Sequence, residues 1–210
     1  MMNNNFQDYR KLIEFLKSKG DFNQELLDAM YSTPRVDYVD EAFSHLVNRN
    51  DALPIGYGQT ISQPYIVLRM LQLLNLNEKN IVLEIGTGSG FQTSVLSKLV
   101  SHVYSIERIK ALQLNAKRVM RLHNITNVTC KHSDGFYGWE SKAPYDAIIF
   151  SAAISAKPLH LVQQLKLNGK LIAPIGDKKQ QLIMYIKNNR SVTEKVFENV
   201  NFVPLLTGLC

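Results

Sequence analysis

With 210 residues, 45% of them hydrophobic and 20% charged, the chain has the make-up of an ordinary globule with one sizeable core. No apolar run approaches the length of a membrane span, so no membrane partner is expected. The net charge of +6 comes from Lys and Arg spread without a block of five, which reads as a solvated basic surface that helps gather acidic substrates and argues against a nucleic-acid partner.

The start, Met1 to Phe6, lacks a basic segment followed by an apolar core, so no secretory signal is expected. Cys130 and Cys210 make neither a disulfide framework nor a ligand spacing, and the expected compartment is a reducing cytoplasm. The five histidines show no paired ligand spacing, so no metal is expected.

Phe6, Tyr9, Ile13 and Leu16 recur at helical spacing, and Gly20 offers a left-handed stop. A second helix is predicted from about Asn23 to Tyr31, broken by Ser32-Thr33-Pro34. Residues 35–50 read equally as extended chain or as a short helix carrying Phe43, Leu46 and Val47. Between Asp51 and Pro64, two prolines and two glycines among apolar residues describe a shaped loop that is neither floppy nor regular. Ser62 reads first as a cap for a helix over 63–74, and second as a residue beside a ligand if that helix starts at a cleft.

The run Ile81-Val82-Leu83-Glu84-Ile85-Gly86-Thr87-Gly88-Ser89-Gly90 is a buried strand and a glycine turn, and the helix from Phe91 to Leu99 follows it. Such a junction is a nucleotide cradle, because backbone without Cβ atoms approaches a ligand closely at a helix N-terminus. A dinucleotide fingerprint would place its third Gly where Phe91 stands, and neither a phosphate-binding loop nor a hydrolase elbow fits around Ser89. A second strand, His102 to Ile106, ends at Glu107, about 20 residues past the first glycine, where an acid meets a ribose diol. The rival role for Glu107 is an ion pair with Arg108 or Lys110.

Ile109, Leu112, Ala116 and Val119 mark a crossover helix, and a third strand over 127–131 leads to Ser133-Asp134-Gly135. Asp134 reads equally as a turn former and as an acceptor for an adenine amino group. Tyr145 to Phe150 is a fourth strand, and the small residues Ser151-Ala152-Ala153 after it leave room for a substrate. A helix from Pro158 to Gly169, a fifth strand over 170–175 and a terminal antiparallel pair over 181–186 and 191–203 complete the order. Repeated strand and helix alternation predicts an α/β, doubly wound, Rossmann-like sheet. The chain is expected to form one domain over 1–210. Its parts are an N-terminal helical extension and substrate loop over 1–63, a cofactor-binding core over 64–176 and C-terminal antiparallel strands over 177–210.

The run from Pro54 to Pro64, taken with Glu84 to Gly90, closely resembles protein-L-isoaspartate O-methyltransferases. The likeness extends through Pro34-Arg35, Tyr104 to Arg108, Asp134-Gly135, Gly138-Trp139, Ala143 to Asp146 and Phe202 to Leu205. Departures from the commonest pattern are Ala52 for Pro, Phe91 for Tyr, Ser133 for Gly, Phe150-Ser151 for Val-Thr and an inserted Leu206. The resemblance implies an S-adenosyl-L-methionine-dependent methyltransferase fold and a repair enzyme, and the lack of a long apolar surface helix that demands a partner leads to the expectation of a monomer. It would methylate the α-carboxylate of isoaspartyl residues in damaged proteins and peptides and release S-adenosyl-L-homocysteine. By that likeness Gln59, Thr60, Ser62, Glu84, Gly86, Gly88, Gly90, Glu107, Asp134 and Gly135 hold the cofactor. Pro54, Ile55, Gly56 and Ser62 meet the substrate, and Ser62 is the catalytic residue.

The chemistry agrees with a site lacking a catalytic histidine. A carboxylate with an ordinary pKa near ~4 is already ionised at neutral pH and needs no general base. Its charge and that of a sulfonium partly cancel during transfer, so neutral donors orient it without holding the ground state back. The alternatives are a methyltransferase for another substrate and a non-catalytic cofactor-binding adaptor. Phe150-Ser151-Ala152-Ala153 differs from the Asp/Asn-Pro-Pro-aromatic run of enzymes that methylate nucleic-acid amino groups.

Overall fold

The computed structural model describes the backbone of residues 2–210 and the side chains from residue 9 onward. Helix α1 (Met2–Lys19) buries Tyr9, Leu12, Ile13 and Leu16 on one face; Phe6, expected on the same face, lies outside the residues whose side chains are described. Gly20 ends α1 without left-handed backbone, contrary to expectation. Its missing Cβ instead admits the Phe22 ring, which a Cβ would meet at 3.0 Å. Helix α2 (Gln24–Tyr31) starts at Asn23, whose side chain accepts from the Leu26 amide. The ambiguous stretch after it is two short 3-10 turns, Arg35–Tyr38 and Glu41–Leu46.

The stretch expected to be irregular contains a hairpin. Strands β1 (Leu53–Gly56) and β2 (Gln59–Ile61) pair antiparallel, and Tyr57 and Gly58 both take positive φ in the turn. Two adjacent left-handed residues match the right-handed twist of the flanking strands, which is why so short a pair closes. Helix α3 (Pro64–Leu74) follows directly.

The main sheet has seven strands, taken here in chain order. They are β3 (Ile81–Ile85), β4 (His102–Glu107), β5 (Val128–His132), β6 (Tyr145–Phe150), β7 (Leu165–Ile175), β8 (Gln180–Lys187) and β9 (Val192–Val200). Across the sheet they run β5-β4-β3-β6-β7-β8-β9. The first five are mutually parallel, and β8 is antiparallel to both neighbours. Helices α4 (Phe91–Ser97) and α5 (Lys110–Leu122) make the crossovers from β3 to β4 and from β4 to β5. The order therefore reverses between β3 and β6, and a crevice opens at the carboxyl ends of these strands.

Alternation along the strands splits the core in two. Val82, Val103, Ala147, Ile149, Ile172 and Met184 pack with α1 to α4 on one face. Leu83, Ile85, Ile148, Phe150, Leu171 and Tyr185 face the other way, under Trp139 and the single turn α6 (Leu159–Val162). The helix expected from Pro158 to Gly169 is therefore only one turn long. From Leu165 the chain is extended, because Leu165 pairs with Tyr145 and Lys166 bonds to both carboxylate oxygens of Asp146. Lys187 also takes the carbonyls of Gln163 and Leu165. No helix among the described residues is long and apolar enough to cross a membrane.

Candidate active site

A cleft of about 780 Å³, open to solvent, lies at the switch point. The floor is the glycine loop. The amides of Gly86 and Thr87 donate to the Ile106 carbonyl, and the Gly90 amide closes the turn onto the Thr87 carbonyl. Gly86 and Gly88 have φ of +94° and +54°, and a Cβ at Gly88 would touch Ile55 of the hairpin at 3.3 Å. Glycine here lets the loop curl and lets the hairpin close over it. At Gly135 a Cβ would stand 2.5 Å from Ile85 Cγ2, so that wall too approaches as bare backbone.

Glu107 is buried at the end of β4. One carboxylate oxygen accepts from the Gly88 amide at 2.8 Å and the other from the Ile109 amide at 2.9 Å. A carboxylate offers about four acceptor sites, which leaves capacity for a diol. Arg108 instead turns its Nε to the Gly208 carbonyl.

Gln59, Thr60 and Ser62 face this floor from the hairpin side, and Ile55, Gly86, Gly88, Glu107 and Gly135 also line the cleft. Ser62 does not cap α3. The cap position is Gln63, and the Tyr65 amide is taken by the Asn50 side chain. The Ser62 carbonyl accepts from Arg35, and the residue lines the cleft.

Five expected site residues stand outside the lining. Glu84 is fully buried beneath the loop, accepting from Gln92, Thr93 and Ser105, and burial pushes its carboxyl up to about 7 against the pull of these donors. Gly90 faces Ala116 of α5. Asp134 accepts from the amides of Phe136 and Gly208, so it forms the turn and holds the tail. Pro54 and Gly56 lie on the exposed side of the hairpin.

Several lining residues had no site role in the sequence reading: Thr87, Gln92, Arg108 and the tail segment from Val203 to Leu206. The tail crosses the cleft mouth as a strap. Its Val203 carbonyl and Leu205 amide bond to Ala153, and Cys210 bonds through both backbone groups to Arg108 and Lys110. Arg35 is the other organiser. It is 1% exposed and gives its two terminal nitrogens to the carbonyls of Val47, Arg49, Asp51 and Ser62. Burial lowers its pKa to about 10, so it remains charged at neutral pH.

A glycine cradle, a buried acid on the next strand and a cleft at the sheet's switch point fit the adenosine and amino-acid ends of S-adenosyl-L-methionine. They place the fold among the S-adenosylmethionine-dependent methyltransferases. Residues 7–209 match the family described as protein-L-isoaspartate(D-aspartate) O-methyltransferase, and the chain belongs to that family. A relative of that name from Vibrio campbellii is 52% identical over 198 residues, covering 94% of this chain and 95% of the relative. Another, from Aliivibrio fischeri, is 52% identical over 197 residues, with 94% and 95% covered.

Among solved structures, a protein-L-isoaspartate O-methyltransferase superimposes with TM-score 0.88 at 25% identity, covering 96% of this chain and 67% of that one. A structure from Plasmodium falciparum described under the same activity, in complex with S-adenosyl-L-homocysteine, gives TM-score 0.82 at 26% identity. That match covers 94% of this chain and 98% of the other.

Proposed function

We propose that the chain transfers the methyl group of S-adenosyl-L-methionine to the free α-carboxylate of L-isoaspartyl residues in damaged proteins and peptides. The observation that carries this reading is the chemistry of the cleft wall. Among the described lining residues only Glu107 and Arg108 are charged, and no His, Lys, Cys or Tyr is present to act as a general base. An alcohol or amine acceptor would need such a base, and an ionised carboxylate does not.

When bound, the cofactor supplies an electrophilic methyl on a sulfonium centre. Glu107 accepts from the ribose hydroxyls, the glycine loop and Gly135 meet the cofactor with backbone, and Gln59 and Thr60 close over it from the hairpin. Ser62 donates its hydroxyl to the attacking carboxylate and fixes the line of approach, and such alignment supplies up to roughly 7–11 kcal/mol of barrier reduction in well-oriented systems. Apolar Ile55, Ala152 and the tail supply the non-polar part of the wall around the centre.

The test is methyl transfer from labelled cofactor to a matched pair of peptides, one with isoaspartate and one with aspartate. Transfer to the first alone supports the reading. Label on neither, with cofactor still bound, overturns it in favour of another substrate or an adaptor role. Ser62→Ala should lower kcat/KM by about 10- to 100-fold while leaving cofactor affinity nearly unchanged. Joint loss of folding and cofactor binding would instead make Ser62 structural. We further propose a monomer acting in the cytoplasm without nucleic acid.

A further inference from the structure

Gln92 stands in the first turn of α4, where a helical side chain leans back toward the N-terminus and so toward the cleft. Its amide nitrogen reaches two oxygens at once, Glu84 Oε1 at 3.0 Å and Ser151 Oγ at 2.8 Å. Glu84 settles the direction of both bonds. It is fully buried, and its second oxygen already accepts from Thr93 Oγ1 and from Ser105 Oγ at 2.6 Å. Above about pH 7 Glu84 is ionised and only accepts, so there the amide must present its NH2 end. That same nitrogen donates its other hydrogen to Ser151, and the Ser151 oxygen is thereby an acceptor on its buried side. Its own proton is left to point elsewhere.

Ser151 is half-buried and lines the cleft between Gly86 and Ala152. Its amide is fixed to the Ile85 carbonyl, and its Cβ lies 3.4 Å from where a Gly86 Cβ would be. The free O–H is therefore a neutral donor on the sheet side of the cleft, while Ser62 is one on the hairpin side. Glu107 ends β4 and Gly135 follows β5, on the opposite side of β3 from β6, which leads to Ser151.

From this geometry we infer that Ser151 is a second hydroxyl donor to the isoaspartyl α-carboxylate, held in donor polarity by Gln92 as a positioning residue anchored on Glu84. The inference rests on the proposed substrate. It gives a role to the buried acid beneath the loop: once ionised, above about pH 7, it fixes the orientation of a proton two hydrogen bonds away, at a place where a positive side chain would favour the ground state over the transition state.

The experiment compares wild type, Ser151→Ala, Ser151→Thr and Gln92→Met. It reads methyl transfer to the isoaspartyl peptide, calorimetric binding of that peptide to enzyme loaded with S-adenosyl-L-homocysteine, and binding of S-adenosyl-L-homocysteine alone. Ser151→Ala should weaken peptide binding and kcat/KM by about tenfold and leave S-adenosyl-L-homocysteine affinity within about twofold. Ser151→Thr, which keeps the hydroxyl, should recover to within about threefold of wild type. Gln92→Met should follow Ser151→Ala in direction with a loss of roughly three- to fivefold, mainly in KM.

Peptide affinity and turnover in Ser151→Ala within about twofold of wild type overturn the inference, as does an equal loss in S-adenosyl-L-homocysteine affinity, which would make Ser151 a cofactor contact. Should Gln92→Met not fold, the two Ser151 variants decide alone. A wild type that methylates no isoaspartyl peptide sinks the substrate reading and this inference together. A wild type that does, beside an unaffected Ser151→Ala, sinks only the inference.

Discussion

The two sides of the cleft are built on different principles. The glycine-loop side is continuous with the sheet: β3, the loop and α4 are consecutive, and Glu107 is placed by the register that sets Ile85 opposite Ile106. The hairpin side is a short two-stranded pair that adds Leu53 and Ile61 to the core, and the path of the chain leading to and from it is held by hydrogen bonds of Arg35 and Asn50. The first side inherits the rigidity of a buried parallel sheet. The second can be loosened by removing a single side chain. Cofactor affinity and substrate alignment should therefore respond separately to mutation.

The largest effect is expected at Arg35. Arg35→Met takes the donor from one buried and three partly buried carbonyls, and should cost about 3 kcal/mol of stability by denaturant titration. Where the variant stays folded at low temperature, methyl transfer should drop much further than cofactor affinity. Equal losses in both would break the comparison.

Next comes Glu107→Gln, on the other side. It keeps shape but replaces two charged-acceptor bonds, so S-adenosyl-L-homocysteine should bind about 10- to 100-fold more weakly, measured by calorimetry. Stability should change little beside Arg35→Met. A variant that binds the cofactor normally would show that the loop backbone alone carries adenosine recognition.

The smallest effect concerns pH. Burial raises Glu84 from the ordinary carboxyl range to about 7, with nearby Glu107 adding to the rise. Between about 4.5 and about 7 the folded chain keeps a proton that the unfolded chain has released, so this group's contribution is most favourable at the acid end and declines as pH rises. Melting temperature measured across that window should show a component falling with pH in wild type. Glu84→Gln should remove that component. An unchanged slope would mean that the three donors hold Glu84 ionised throughout.

The same contrast explains what could be read from the sequence. Strand, glycine turn, helix and the acid one strand on are local in the chain, and their spacing alone located the floor of the cleft and Glu107. The catalytic role of Ser62 came from the family likeness, and Ser62 is no cap because Asn50, 15 residues before Tyr65, takes the Tyr65 amide. Gln92 and Ser151 are 59 positions apart, and the tail reaches Asp134 across 74, so no periodicity could have brought them together. The hairpin was masked by Pro54 and three glycine or left-handed positions, which read as loop until the pairing of Leu53 with Ile61 is seen. The one-turn α6 was overextended because the apolar spacing at Leu161 and Leu165 also suits a turn followed by a strand, and the ion pair of Lys166 with Asp146 favours the latter.

The Arg35 contacts carry one further consequence. All four of its partners are main-chain oxygens, from Val47, Arg49, Asp51 and Ser62. A carbonyl is the same whatever side chain its residue bears, so the cation reads the path of the segment and ignores its spelling. Val47 is buried and constrained by packing, while Arg49 and Asp51 carry largely exposed side chains. At such places the rim is open to drift. Its outward chemistry can be rewritten, in evolution or by design, while the backbone that presents Ser62 stays where it is.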